Sequence, residues 1–232
     1  MYTLSEAHPL TMLIVVAAFL VTPLHLLASF AFSGASLRIG FRLAFLWLLA
    51  GAAMFYVCIA NVEQDLGLLG NLLVPLAWFT PSVLLLIFRE KVLAHPLSSK
   101  WLISLQIWRA IGVVFLIEMY RGNLPGIFAY PAGVGDVTVA LIALVVIIAY
   151  RSAEKIPTKA IHLVGVCGMI DFMGAFFFGF FSSETPLQLF SFDNPNNVTL
   201  FPTGMIPLFL VPYAIFFHVL AWLNLAKFGE TQ

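Results

Sequence analysis

Arg109 and Asp171 are ionisable side chains set inside long apolar runs. A charge near the centre of a bilayer costs about 2.5–3.5 kcal/mol on insertion scales, so it faces protein or water and takes a partner. A guanidinium and a carboxylate on different helices could pair as a packing strut, hold an anion, or exchange a proton. His25 and His218 stand in apolar runs of their own and could join that chemistry. Alternatively, they could ligate a haem iron or a metal from two sides. Gln106, three residues before Arg109, shares its face, and Tyr213 follows a proline upstream of His218. With about 1.5 Å of rise per residue, Arg109 lies about 12 Å and Asp171 about 16 Å from the inner ends of their helices. His25 and His218 come out at about 12–14 Å by the same measure. Half of a hydrocarbon core is about 15 Å, so one polar pocket near the midplane is expected from residues on four helices. No catalytic constellation accompanies it, and the reading leans away from an enzyme.

The elements that must carry these residues are transmembrane helices. Of the 232 residues, 62% are hydrophobic and 9% charged, against about 25% charged in soluble domains. The formal net charge is zero, which removes the electrostatic basis for nucleic-acid binding. Cys58 and Cys167 lie in apolar runs and build neither a disulfide framework nor a cysteine metal site. The amino-terminal segment lacks the positive region of a signal peptide, so the first run is expected to be retained as a helix.

A span needs about 20 mostly apolar residues. Seven runs qualify, roughly 11–33, 42–60, 69–89, 101–120, 132–150, 160–182 and 204–227, predicting an all-α seven-helix bundle in which residues 1–232 form a single transmembrane domain. Pro75 and Pro81 predict a kink in the third. Arg38, Arg42, Arg89, Lys91, Lys100, Arg151, Lys155, Lys159 and Lys227, nine of the eleven basic residues, fall in connections on one side. The connections opposite hold Glu63, Asp65, Glu184 and Asp193, with Arg121 alone. Because cytoplasmic loops collect Lys and Arg, the expected topology is N-terminus outside and C-terminus cytoplasmic.

The Gly/Pro-rich stretch 122–135 reads either as a re-entrant segment or as an ordinary outer loop. Asp136 behind it is expected to be a helix N-cap, with an outer-gate carboxylate as the alternative. Glu118 and Arg121 are expected to pair at the outer interface, where Glu118 is a second gate candidate. Nine residues separate Glu118 from Arg109, half a turn out of phase, so the two should not meet. Pro207 and Pro212 bend the seventh helix upstream of His218.

The stretches GNLPGIFAYPAGVGD and IPLFLVPYAIFFH, with WRAIG before them, resemble a group of uncharacterised bacterial integral membrane proteins carrying G-x-LP-x-x-FA-x-PAG-x-GD and IP-x-FLVP-x-x-x-x-H elements. The resemblance implies a multi-pass protein of the cell inner membrane and brings no activity with it. The function expected from the residues is transport or sensing of a small solute or of protons. A haem- or metal-binding redox protein and a structural subunit with partners in a larger membrane complex are the alternatives. No cofactor is expected under the first reading, although the 23 phenylalanines would also suit a lipophilic ligand such as a quinone or carotenoid.

Overall fold

The computed structural model describes residues 8–64 and 67–229. Within them, seven helices are long and apolar enough to cross a membrane: α1 (Pro9–Phe32), α2 (Leu37–Ile59), α3 (Asn71–Val92), α4 (Ser99–Tyr120), α5 (Gly126–Ala149), α6 (Thr158–Ser182) and α7 (Ile206–Phe228). Asp65 and the side chain of Glu63 lie outside the described residues. We call the face carrying Pro9 and the 183–205 connection the N-terminal face. The opposite one, with the 33–36, 93–98 and 150–157 connections, is the C-terminal face.

All seven helices are similarly apolar, yet their places differ. Of α7, 83% is buried, against 22–50% for the other six, so α7 is the axis and the rest surround it. It packs on α1, α3, α4 and α6, while α5 lies between α4 and α6. Trp47 on α2 sets its ring edge-on to Phe209, Tyr213 and Phe216 of α7 at centroid distances of 5.7, 5.2 and 5.8 Å. The outer helices turn residues such as Leu13, Phe79, Ile87 and Ile170 outward, where lipid replaces water as the solvent.

Two helices depart from regular winding. In α4 the segment Leu105–Gly112 is a 3₁₀-helix between the α-helical pieces Ser99–Ser104 and Val113–Tyr120. Such runs rarely exceed three or four residues. α7 opens on a π-helical turn, Ile206–Leu210, in which the Val211 N–H reaches back to the Ile206 carbonyl. The same register would pair the Pro207 carbonyl with residue 212, a proline without an N–H. The indole of Trp78 on α3 takes that carbonyl instead, at 2.7 Å. Replacing Trp78 by phenylalanine therefore strands a buried carbonyl and should cost about 1–3 kcal/mol. Chemical denaturation in detergent reads this out, and an unshifted midpoint would show that the carbonyl finds another donor.

Of the stretch 122–135, expected as a re-entrant segment or an outer loop, only 122–125 form a connection, and the rest is helix. Pro125 is the N-cap of α5, which starts at Gly126 and runs on through Pro131, Gly133 and Gly135. Asp136 is thus about three turns inside the helix, so it is not the N-cap and does not stand at the helix mouth. Glycine and proline mark turns in water, but in a membrane helix glycine marks close packing, and proline is tolerated where neighbours meet the freed carbonyl.

Candidate functional site

Arg109 lies between two carboxylates. Its Nε donates to Asp136 Oδ1 of α5 at 2.8 Å, and its Nη2 donates to Asp171 Oδ2 of α6. Arg109 is 4% and Asp136 5% exposed, while the Asp171 side chain is 10% exposed, so the arginine and Asp136 are enclosed and Asp171 lies at the edge of the cluster. The guanidinium also lies over Phe172, with Cζ 3.8 Å from the ring centroid. That contact adds cation–π attraction on a third side.

The local winding explains how the arginine is presented. A 3₁₀-helix has three residues per turn, so side chains three apart stand in one row. Gln106, Arg109 and Gly112 form that row, and all three are buried. Glycines then make the space. A Cβ on Gly112 would come within 2.9 Å of Asp136 Oδ2 and closer still to its Cβ. On Gly135 a Cβ would overlap Asp171 Oδ1, and on Gly168 it would lie 2.6 Å from Arg109 Nη1 and overlap His218 Nε2. Three helices therefore approach the cluster through a missing side chain each. By contrast, Gly174, three residues past Asp171, has open space beside it.

His218 of α7 completes the inner shell. It is 2% exposed, lies edge-on to Phe172 at 6.3 Å, and faces Arg109 across Gly168. Its Nε2, Arg109 Nη1 and Gln106 Oε1 are buried without a hydrogen-bond partner among the described residues. Gln106 uses its amide N–H on the Ala214 carbonyl at 3.3 Å. Such unsatisfied groups are rare in native interiors and call for a water, a proton or a movement.

Other residues singled out in the sequence have different surroundings. His25 Nδ1 accepts from the Trp108 indole at 2.9 Å, and its Nε2 lies 3.0 Å from Ser104 Oγ. The Ser104 hydroxyl proton goes to the Trp101 carbonyl at 2.8 Å, so Nε2 carries the proton and donates. Both imidazole nitrogens are engaged, in a joint between α1 and α4. Tyr213 gives its hydroxyl proton to the Thr22 carbonyl of α1. Glu118 does pair with Arg121, at 3.3 Å, but not at an exposed interface. It is 1% exposed and also accepts from Thr11 Oγ1 of α1 at 2.5 Å and from Asn123 Nδ2 at 2.6 Å. Thr11 and Asn123 bury it, a contribution from another helix and the following turn that spacing along α4 alone does not reveal. Glu118 is therefore a clamp between α1 and α4.

Two small cavities meet the cluster. One, of about 40 Å³, extends from Val198 and Thr199 on the N-terminal face past Trp78 to Asp136 and Phe172. The other, of about 30 Å³, lies beside Thr22, Arg109, Asp136 and Tyr213. A water needs about 10–15 Å³, so each has room for a few.

These features define the class: a multi-pass helical membrane protein of seven apolar spans with a buried Arg–Asp–Asp cluster. The chain belongs to the family described as a domain of unknown function, DUF8737, whose model matches residues 67–226. The matched stretch includes Arg109, Asp136, Asp171 and His218. No curated protein and no solved structure matches the chain.

Proposed function

We propose that this protein moves protons, alone or coupled to a small solute, across the membrane, and that Arg109, Asp136 and Asp171 are the site that takes up and releases one proton per cycle. The observation that carries this reading is a charge count. One guanidinium between two carboxylates leaves a net charge of −1 deep in an apolar bundle. An uncompensated buried charge costs several kcal/mol. The guanidinium occupies the space between the carboxylates and repels a metal cation from bridging them. A proton on either carboxylate restores neutrality without displacing anything.

Supporting this, the cavities at Asp136 are water-sized, far below the roughly 300–1,000 Å³ of small-molecule pockets. They suit a proton carried by water better than a quinone or carotenoid. The first gives Asp136 a route toward the N-terminal face. On the other side of Arg109, His218 Nε2 offers an acceptor toward the C-terminal face. When Asp171 is protonated its hold on Arg109 weakens, and the guanidinium can turn Nη1 toward His218. Irregular windings beside the site, the 3₁₀ run of α4 and the π turn of α7, are where such a shift would be absorbed. The distribution of Lys and Arg orients the protein with its N-terminus outside, and the resemblance of its two motif stretches to bacterial proteins favours a bacterial inner membrane.

The alternative redox reading, with haem or a metal on His25 and His218, would require His25 to give up both hydrogen bonds. Among the described residues no group of three His, Cys, Asp or Glu could hold a metal. No particular observation favours a structural subunit.

The test is proton flux in proteoliposomes carrying a pH-sensitive dye inside. The wild-type protein should dissipate an imposed pH gradient. Asp171→Asn, which removes the titrating group and keeps its shape, should insert normally and lose the flux. Wild-type flux in that variant would end the proposal.

A further inference from the structure

A groove on the lipid-facing side shares no lining residue with the two cavities at the Arg109 cluster. It lies between α2 and α3, has a volume of about 370 Å³, and is lined by Leu46, Trp47, Leu84, Leu85 and Phe88 over a floor made by Phe216 of α7. Along α3 its lining runs from Thr80 to Val92, about 18 Å at 1.5 Å per residue. That is close to the depth of one leaflet, about 15 Å.

The groove is apolar along its length and basic at one end only. Lys91 Nζ lies 5.8 Å from the centroid of the Phe88 ring, which places a cation at the mouth on the C-terminal face. Arg42 is exposed and stands four residues before Leu46, on the same face of α2. Arg89, four residues after Leu85, has a side chain 57% exposed. Among the described residues the acid paired at this end, Glu90, lies 3.6 Å from Arg89 and is taken by Lys227 at 2.6 Å. Positive charge is therefore in excess at this end, where lipid headgroups sit.

We propose that this groove is a binding site for one anionic phospholipid, with an acyl chain lying between α2 and α3 and the phosphate held by Arg42, Arg89 and Lys91. The shape fits a single chain. Charge confined to one end fits an amphiphile with an anionic head rather than a second copy of the protein, whose face would have to be apolar throughout.

Native mass spectrometry of the purified protein, equilibrated with mixed vesicles of phosphatidylglycerol and phosphatidylcholine, tests the site. The wild-type protein should retain one phosphatidylglycerol in preference to phosphatidylcholine. Neutralising two cations, in Arg42→Gln/Lys91→Gln, should lower that preference roughly thirtyfold, since each basic residue near the headgroups contributes roughly fivefold. Ala50→Phe, which fills the groove from an exposed position of its lining, should abolish retention of the lipid while thermal stability shows the fold intact. Equal retention of the two lipids by the wild type, unchanged preference in the doubly neutralised variant, undiminished binding in Ala50→Phe, or a retained mass matching neither lipid would each overturn the assignment.

Discussion

Replacing Arg109 by leucine is expected to destabilise the protein by about 3–5 kcal/mol, the cost of leaving buried charge without its partner. Both carboxylates lose a donor at once, because Asp136 and Asp171 each hydrogen-bond the same guanidinium. Leucine also ends the guanidinium contact with Phe172, so the loss of packing has to be separated from the loss of charge. A triple variant, Arg109→Leu with Asp136→Asn and Asp171→Asn, removes every charge together and should recover most of the loss, as neutral replacements of buried ion clusters often do. Denaturation in detergent compares the three proteins. If the triple variant is no more stable than Arg109→Leu, the loss comes from packing and not from stranded charge.

A single methyl group at Gly135 should disturb the same cluster. A Cβ there overlaps Asp171 Oδ1, so Asp171 must swing away from Arg109 or α5 and α6 must separate. Overpacking of this kind costs about 1–3 kcal/mol, and Gly135→Ala also breaks one arm of the cluster without changing any charge. Proton flux should fall as it does in Asp171→Asn. A double-mutant cycle isolates the cause. In an Asp171→Ala background the added methyl has room, and the penalty of Gly135→Ala should shrink by an interaction term of about 0.5–3 kcal/mol. Equal penalties in both backgrounds would place the clash elsewhere.

The physics of a charge in lipid made much of this site visible from residues alone. Arg109 and Asp171 each needed a partner, and the rise per residue put the two at a similar depth. Asp136 escaped notice because glycine and proline ahead of it carry opposite meanings in water and in lipid. Read as a loop, they put Asp136 at a helix mouth; read as packing residues, they put it beside Arg109. The pattern of Gly112, Gly135 and Gly168 was the available signal. Burial of Glu118 depends on Thr11, a hundred residues away in the chain, and spacing along one helix cannot reveal it. Hydropathy counted seven spans but could not rank them, since α7 falls in the middle of their range and owes its central place to which faces match. The 3₁₀ winding that aligns Gln106 with Arg109 is likewise a tertiary result, with no mark in local composition.

A single proton shared by the cluster is measured most directly by infrared difference spectroscopy of the reconstituted protein at neutral pH. The wild-type protein should show the carbonyl stretch of a protonated carboxylic acid, shifted by deuterium. That band should vanish in Asp136→Asn and equally in Asp171→Asn, because either change leaves one carboxylate balanced by Arg109. A wild-type spectrum without the band, or a band that survives both substitutions, would contradict the claim that the cluster holds a proton.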